Sequence, residues 1–179
     1  MRLRFATLVL APVLLLAAAY PTGAQSPPED GLSGTWALVS SVEGGRATIQ
    51  GAFDRALLHA NVFLRALARQ RVDVDVLLAR RITVAFEGER ISTTLSTRRP
   101  HTFLTRRGHP ERVRGENGDP VELTQTEDDG RLQLYFRFDE GQRWTVLEAN
   151  GDRLRLTTTI DADRLEDNVH FVLRYRRLR

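Results

Sequence analysis

The sequence predicts a mostly β fold, an antiparallel meander that closes or nearly closes into a barrel, with one long amphipathic helix inserted after the first strand. The first observation is alternation. Over residues 121–177 five segments alternate apolar and polar residues; in Leu132-Gln133-Leu134-Tyr135-Phe136-Arg137-Phe138 the apolar face recurs at period two, which a half-buried strand needs and a helix cannot use. The second is punctuation. Asp129-Gly130, Glu140-Gly141 and Asn150-Gly151 separate successive segments, and Gly or Asn supplies the positive φ of tight hairpin turns. The third is a change of period. Ile49, Phe53, Leu57, Ala60, Leu64 and Leu67 follow at spacings of three or four, one stripe of an α-helix that starts after Thr48 and ends near Arg71.

Residues 1–24 read as a signal peptide. Arg2 and Arg4 precede an apolar run over residues 5–19, and Thr22-Gly23-Ala24 offers small residues to a signal peptidase. The run is shorter than the roughly 18 to 20 residues of a membrane span. The expected localisation is therefore secreted or periplasmic. Residues 25–31 form a short flexible leader containing Pro27 and Pro28, and residues 32–179 the barrel domain. Strand one covers residues 32–42 with Trp36 and Leu38 on one face, closed by Gly44-Gly45; Thr48 is the expected N-cap of the helix. Residues 72–78 fit either a second short helix capped by Asp73 or an extended lead-in. Residues 82–86 and 90–95 form a hairpin, 101–105 and a weaker 111–114 follow, and 121–126, 131–138, 143–148, 153–160 and 169–176 complete about ten strands.

Composition narrows the function. The chain has no cysteine, so no disulfide framework exists and the core alone must hold the fold. The formal charge of +3 includes Arg2 and Arg4, so the domain itself is close to neutral and a global argument for nucleic acid fails. All 26 basic residues are arginine. The densest group, Arg98, Arg99, His101, Arg106, Arg107, His109, Arg112 and Arg114, has only Phe103 among it, so the aromatic interleaving of a nucleic-acid surface is missing. Solvated turns explain such a group, and so does a barrel rim that meets an anionic membrane surface. His59, His101, His109 and His170 lack zinc-ligand spacing, and His170 shares register with Val172 and Arg174, which places it on the outer face, away from any enclosed haem. No nucleophile elbow, phosphate loop or zinc-protease motif occurs, and the acid pairs Asp128-Asp129, Asp161/Asp163 and Glu166-Asp167 fall in turns. The expectation is a non-enzyme without metal or cofactor. Arg131, Arg137, Arg143, Arg153 and Arg155 interrupt the strands and aromatics make up 7% of residues, which argues against the apolar band of an outer-membrane barrel.

Gly34-Thr35-Trp36, followed by Leu38-Val39-Ser40-Ser41, a helical segment, and nine short strands ending in Val169-His170-Phe171-Val172-Leu173-Arg174-Tyr175-Arg176, resembles the fatty-acid-binding-protein branch of the lipocalin (calycin) superfamily. The resemblance spans residues 32–179 and is closer to small exported bacterial lipocalin-like proteins than to the cytosolic carriers. It implies an up-and-down β-barrel holding one hydrophobic small molecule or lipid. It also implies that Trp36 packs across the closed end with Arg174 or Arg176 over its indole. Tyr175 matches the tyrosine of the family's Arg-x-Tyr carboxylate grip, whereas Leu173 stands at the arginine and Leu147 near the second arginine.

The expected inward residues are Phe136, Phe138, Trp144, Val146, Leu154, Leu156, Phe171, Leu173 and Tyr175. Thr93, Thr105, Gln125 and Thr158 share a face with them, and polar groups inside a barrel need each other, water or a ligand. Of these, Phe136, Phe138, Trp144, Tyr175, Thr93, Gln125 and Thr158, with Phe53 and Leu57 from the helix, are the candidate ligand contacts. The helix either covers the mouth as a lid or plugs the cavity. The leading expectation is an exported, monomeric carrier of a hydrophobic molecule. The alternative is a solid-cored envelope scaffold that meets a protein or lipid through an arginine-rich rim or the helix.

Overall fold

The computed structural model describes residues 29–62 and 73–179. The predicted signal peptide and the part of the predicted helix that carries Leu64 and Leu67 lie outside them. A one-turn helix α1 (Glu29–Leu32) leads into β1 (Gly34–Leu38), followed by α2 (Val42–Ala56) and the short α3 (Val74–Leu77). The strands β2 (Arg81–Glu87), β3 (Arg90–Ser96), β4 (His101–Arg106), β5 (Glu111–Arg114), β6 (Pro120–Asp128), β7 (Arg131–Phe138), β8 (Gly141–Asn150), β9 (Arg153–Ala162) and β10 (Val169–Arg177) complete one sheet. Its order is β4-β3-β2-β1-β10-β9-β8-β7-β6-β5, each neighbouring pair antiparallel, which is the expected ten-stranded, nearly closed, up-and-down barrel with a helix after strand one.

Two expectations at the start of the chain are corrected. Strand one is five residues long, because Ser41 caps a helix that begins at Val42, six residues before Thr48; its Oγ accepts from the Gly44 amide at 3.1 Å. Gly44-Gly45 is therefore helical, not a turn. A Cβ on Gly45 would sit 2.7 Å from Leu78 Cδ1, so the glycine answers to close packing of the helix. The described end of the leader lies in helix α1. Of residues 72–78, the described part from Asp73 forms the helix: Asp73 caps α3 by accepting from the Asp75 amide, and Arg46 on α2 reaches Asp75 at 2.7 Å.

Three ties made by side chains bridge what the ladder leaves open. At one end Trp36 is fully buried, donates to the Leu32 carbonyl at 3.1 Å, and lies under a guanidinium 4.3 Å from its ring centre. That guanidinium belongs to Arg177, which also donates to the carbonyls of Ser33 and Gly31. Arg174 and Arg176 do not take this place. Alternation turns them outward, whereas Arg177 shares parity with Tyr175 and Leu173. The contact contributes about 0.5 to 2 kcal/mol.

The seam between the edge strands β4 and β5 is crossed by Gln125 of β6. Its Oε1 accepts from Thr93 at 2.6 Å, while Nε2 donates to the Ile91 carbonyl at 3.0 Å and to Thr105 at 3.1 Å. Its own carbonyl accepts from the Gly108 amide at 2.7 Å. Glu111 on β5 accepts from the Arg106 amide at the end of β4, and that bond holds its carboxyl below the ordinary range. A third tie fixes the segment after α3 to the last strand: buried Tyr175 donates to the Ala79 carbonyl at 2.9 Å.

Two predictions follow from these ties. Gln125→Leu strands Thr93, Thr105 and a carbonyl at roughly 1 kcal/mol or more each, so chemical denaturation should show a loss of about 2 to 4 kcal/mol; a loss below about 0.5 kcal/mol would show that the seam does not need it. Tyr175→Phe should cost about 1 to 2 kcal/mol. Burial pushes the Tyr175 phenol well above its ordinary range. The folded state thus keeps a proton that the unfolded chain loses near pH about 10, so this group's stabilisation is full below that pH and falls above it. Denaturation midpoints measured against pH should decline less steeply above pH about 10 in Tyr175→Phe than in the native chain.

Candidate functional site

Register decides what the barrel encloses. The turn between β7 and β8 has two residues, so Phe138 pairs with Gly141, Phe136 with Arg143, Leu134 with Thr145 and Leu132 with Leu147. Directly opposed residues share a face. With Leu132, Leu134 and Phe136 fully buried, the odd residues of β8 must point inward with them. Gly141 makes the turn possible, with φ at +142° and a position where any Cβ would strike the Asp161 backbone. Trp144 and Val146, expected inside on hydrophobicity, are therefore on the outer face. Trp144 pairs there with Tyr135, ring centres 5.5 Å apart.

What comes inside instead is Arg143. Its side chain is 7% exposed, its guanidinium lies 3.9 Å from the centre of the Phe136 ring, and Nη2 donates to Glu116 Oε1 at 2.6 Å. Glu116, in the β5–β6 turn, is equally buried at 7%. Nε of Arg143 has no hydrogen-bond partner among the described residues. A charged pair out of water is costly unless it is paired and hydrogen-bonded. Here the pairing is good, yet one donor is left over.

Beside the pair lies a cavity of about 20 Å³, room for about one water. Its walls are Leu134, Phe136, Leu156 and Phe171 of the sheet and Leu77 and Ala79 of the segment around α3; Thr145 and Thr158 also face it, 3.2 Å from one another. The other expected contacts distribute as follows. Phe138 stacks on Phe136, centres 6.4 Å apart, at the mouth. Phe53 and Leu57 are buried on α2, which packs chiefly against β10. Thr93 and Gln125 are buried but committed to the seam, and the Tyr175 hydroxyl is committed to Ala79.

Arg143 was legible by counting. Phe136 inward and a two-residue turn force odd residues of β8 inward, whatever their hydropathy. Reading the strand on hydropathy alone put Trp144 there. The basic stretch from Arg98 to Arg114 does not converge on one rim. β4 carries Arg98 and Arg99 to the α3 end and Arg106, Arg107 and His109 to the end closed by Trp36, about 20 Å away. His170 is on the outer face, as expected, beside Thr159. Among the described residues no group of three metal-ligating side chains comes together.

No protein-family model matches the chain, and no curated protein matches it at a significant level. Among solved structures the chain is similar to an abundant heat soluble (SAHS) protein of Ramazzottius varieornatus, with TM-score 0.58 and 13% identity over 83% of this chain and 96% of that one. It is similar to the fatty-acid-binding protein of Schistosoma mansoni in complex with arachidonic acid, with TM-score 0.58 and 14% identity over 85% and 99% of the two chains. A zebrafish ileal bile-acid-binding protein complexed with cholic acid follows at TM-score 0.50 and 14% identity over 83% and 99%. At these identities the likeness shows the fold alone, a ten-stranded, nearly closed antiparallel barrel with a helix after the first strand.

Proposed function

We propose that this protein is a non-enzymatic carrier that takes one hydrophobic or lipid-like molecule with an anionic end into the barrel, the anion meeting Arg143. The observation that carries this reading is the inward guanidinium among apolar walls, with Glu116 on one side and an unpartnered Nε on the other. Glu116 then acts as a stand-in carboxylate that a ligand's own acid replaces, and the apolar remainder is driven in at about 25 cal/mol per Å² of surface removed from water. The ligands named in two similar structures, arachidonic acid and cholic acid, are both acids, which supports the choice. Arg2 and Arg4 before the apolar run support an exported carrier, secreted or periplasmic.

Entry requires movement. The described residues leave about 20 Å³ beside Arg143, so a ligand must displace Glu116 and part of the cover around Leu77 and Ala79. That small volume is also the one observation in favour of the second reading, a solid-cored envelope protein that works through its surface.

Native mass spectrometry of protein purified from its own compartment, with titration of a fluorescent fatty acid, separates the two. A carrier should retain or take up one molecule per chain. Arg143→Gln should then weaken an acid by about tenfold or more, a loss of about 1.4 kcal/mol, while an uncharged alcohol of the same chain length changes little. Glu116→Gln, which removes the competing charge, should strengthen the acid. A clean apo mass and no uptake by a variant-free, folded sample would favour the solid barrel.

A further inference from the structure

The same alternation that brings Arg143 inside places four arginines together outside. In the β9–β10 ladder Arg153 stands opposite Arg176 and Arg155 opposite Arg174, all four exposed. Opposed Cβ atoms in such a pair are about 5 Å apart, and successive outward residues of one strand about 7 Å apart. Like charges so placed destabilise a sheet. Several outward arginines elsewhere face acids: Arg137 faces Glu122, Arg131 faces Asp128 and Glu148, and Arg90 faces Glu87, while Arg81 faces Ser96 and Arg114 faces Pro120, neither of them charged. The other arginine–arginine rung of the described ladders, Arg90 with Arg106, has Glu87 and Glu111 beside it.

The quartet has less relief, with one facing acid for four arginines. None of its members makes an ion pair or a side-chain hydrogen bond among the described residues, and the acid nearest in the ladder, Glu148 opposite Arg155, is taken by Arg131 at 3.0 Å. Asn150 faces Arg153 and Ala37 faces Arg176. The four side chains line a groove of about 390 Å³ with Val39, Glu148 and Asn150. A second depression adjoins it across Arg176, lined by Asp152, Arg177 and Arg179.

We propose that this groove is a binding site for a soluble ligand carrying two or more closely linked phosphate groups. Guanidinium groups donate to phosphate oxygens in bidentate, charge-assisted pairs, and two rungs of arginine about 7 Å apart present two such clamps in series. A single phosphate engages one rung. A linked pair engages both and removes both repulsions at once. The site is on the outer surface near the end closed by Trp36, so it does not depend on what the interior holds.

Tripolyphosphate is the probe, added to the full chain in phosphate-free, low-salt buffer, with the melting temperature and isothermal titration as readouts. The native chain should bind it at one site, melt higher in its presence, and bind inorganic phosphate at least tenfold more weakly. The double variant Arg155→Gln/Arg174→Gln should melt higher than the native chain without ligand, because a repulsion is gone, yet lose the tripolyphosphate-dependent rise. A distal double variant, Arg112→Gln/Arg114→Gln, should keep it. Unchanged tripolyphosphate binding in the Arg155/Arg174 variant overturns the assignment. So does co-sedimentation of the native chain with vesicles of phosphatidylcholine and phosphatidylglycerol in equal parts without a response to tripolyphosphate, which would make the face a bilayer contact.

Discussion

Parity holds this structure together. Glu87 pairs with Arg90, Asp128 with Arg131, Phe138 with Gly141 and Asn150 with Arg153, each across a two-residue turn. Because side chains alternate strictly, each such turn transmits one strand's choice of face to the next, and a slip of one residue would reverse every side chain of a strand. The choice is made where apolar residues are numerous, by Leu132, Leu134 and Phe136 on β7 and Leu154 and Leu156 on β9, all buried. β8 lies between them and has no vote. Its arginine goes inside and its tryptophan outside, against their own hydropathies. The cost of burying Arg143 is offset by Glu116 and the Phe136 ring, and is smaller than that of exposing the apolar faces of both neighbouring strands.

The barrel's polar interior divides by location. At the seam, Gln125 spends its amide on Thr93, Thr105 and the Ile91 carbonyl, giving β3, β4 and β6 a common tie where the ladder has its edges. Tyr175 likewise spends its hydroxyl on Ala79 and is a structural anchor here. Near the α3 end, Arg143 keeps an unspent donor beside a cavity. Polar groups that satisfy one another rigidify a core, whereas a partly satisfied one marks the place where a further partner fits. The interior therefore has a structural half and a half suited to a ligand.

Charge is arranged on the outside by the same logic. The ladder places acids opposite several outward arginines, which suits a chain whose domain is close to neutral, and leaves the β9–β10 rungs as a concentrated exception. A net charge near zero thus conceals a surface with one strongly basic face. The two ligands proposed are both anionic, an acid carrying an apolar tail at the inward Arg143 and a linked phosphate group at the β9–β10 rungs.

The sequence by itself determined the architecture: period-two alternation with turn dipeptides specified ten antiparallel strands, and the 3.6-residue stripe of Ile49, Phe53 and Leu57 specified the helix and its buried face. Such signals are local, so they survive without knowledge of the fold. Trp36 was identifiable as the closing residue, but its partner Arg177 was not, since Arg174, Arg176 and Arg177 differ only in which way the last strand turns them. Gly44-Gly45 looked like a turn because glycine's freedom is read first as flexibility; only the packing of α2 against Leu78 shows a glycine retained for closeness. The inward Arg143 could be reached only by carrying the parity of β7 through its turn, and the seam held by Gln125 and the facing arginines of β9 and β10 were decided by tertiary structure. Each depends on the register between strands, and register is set by turn length and by neighbours' hydrophobic faces, not by the residue concerned.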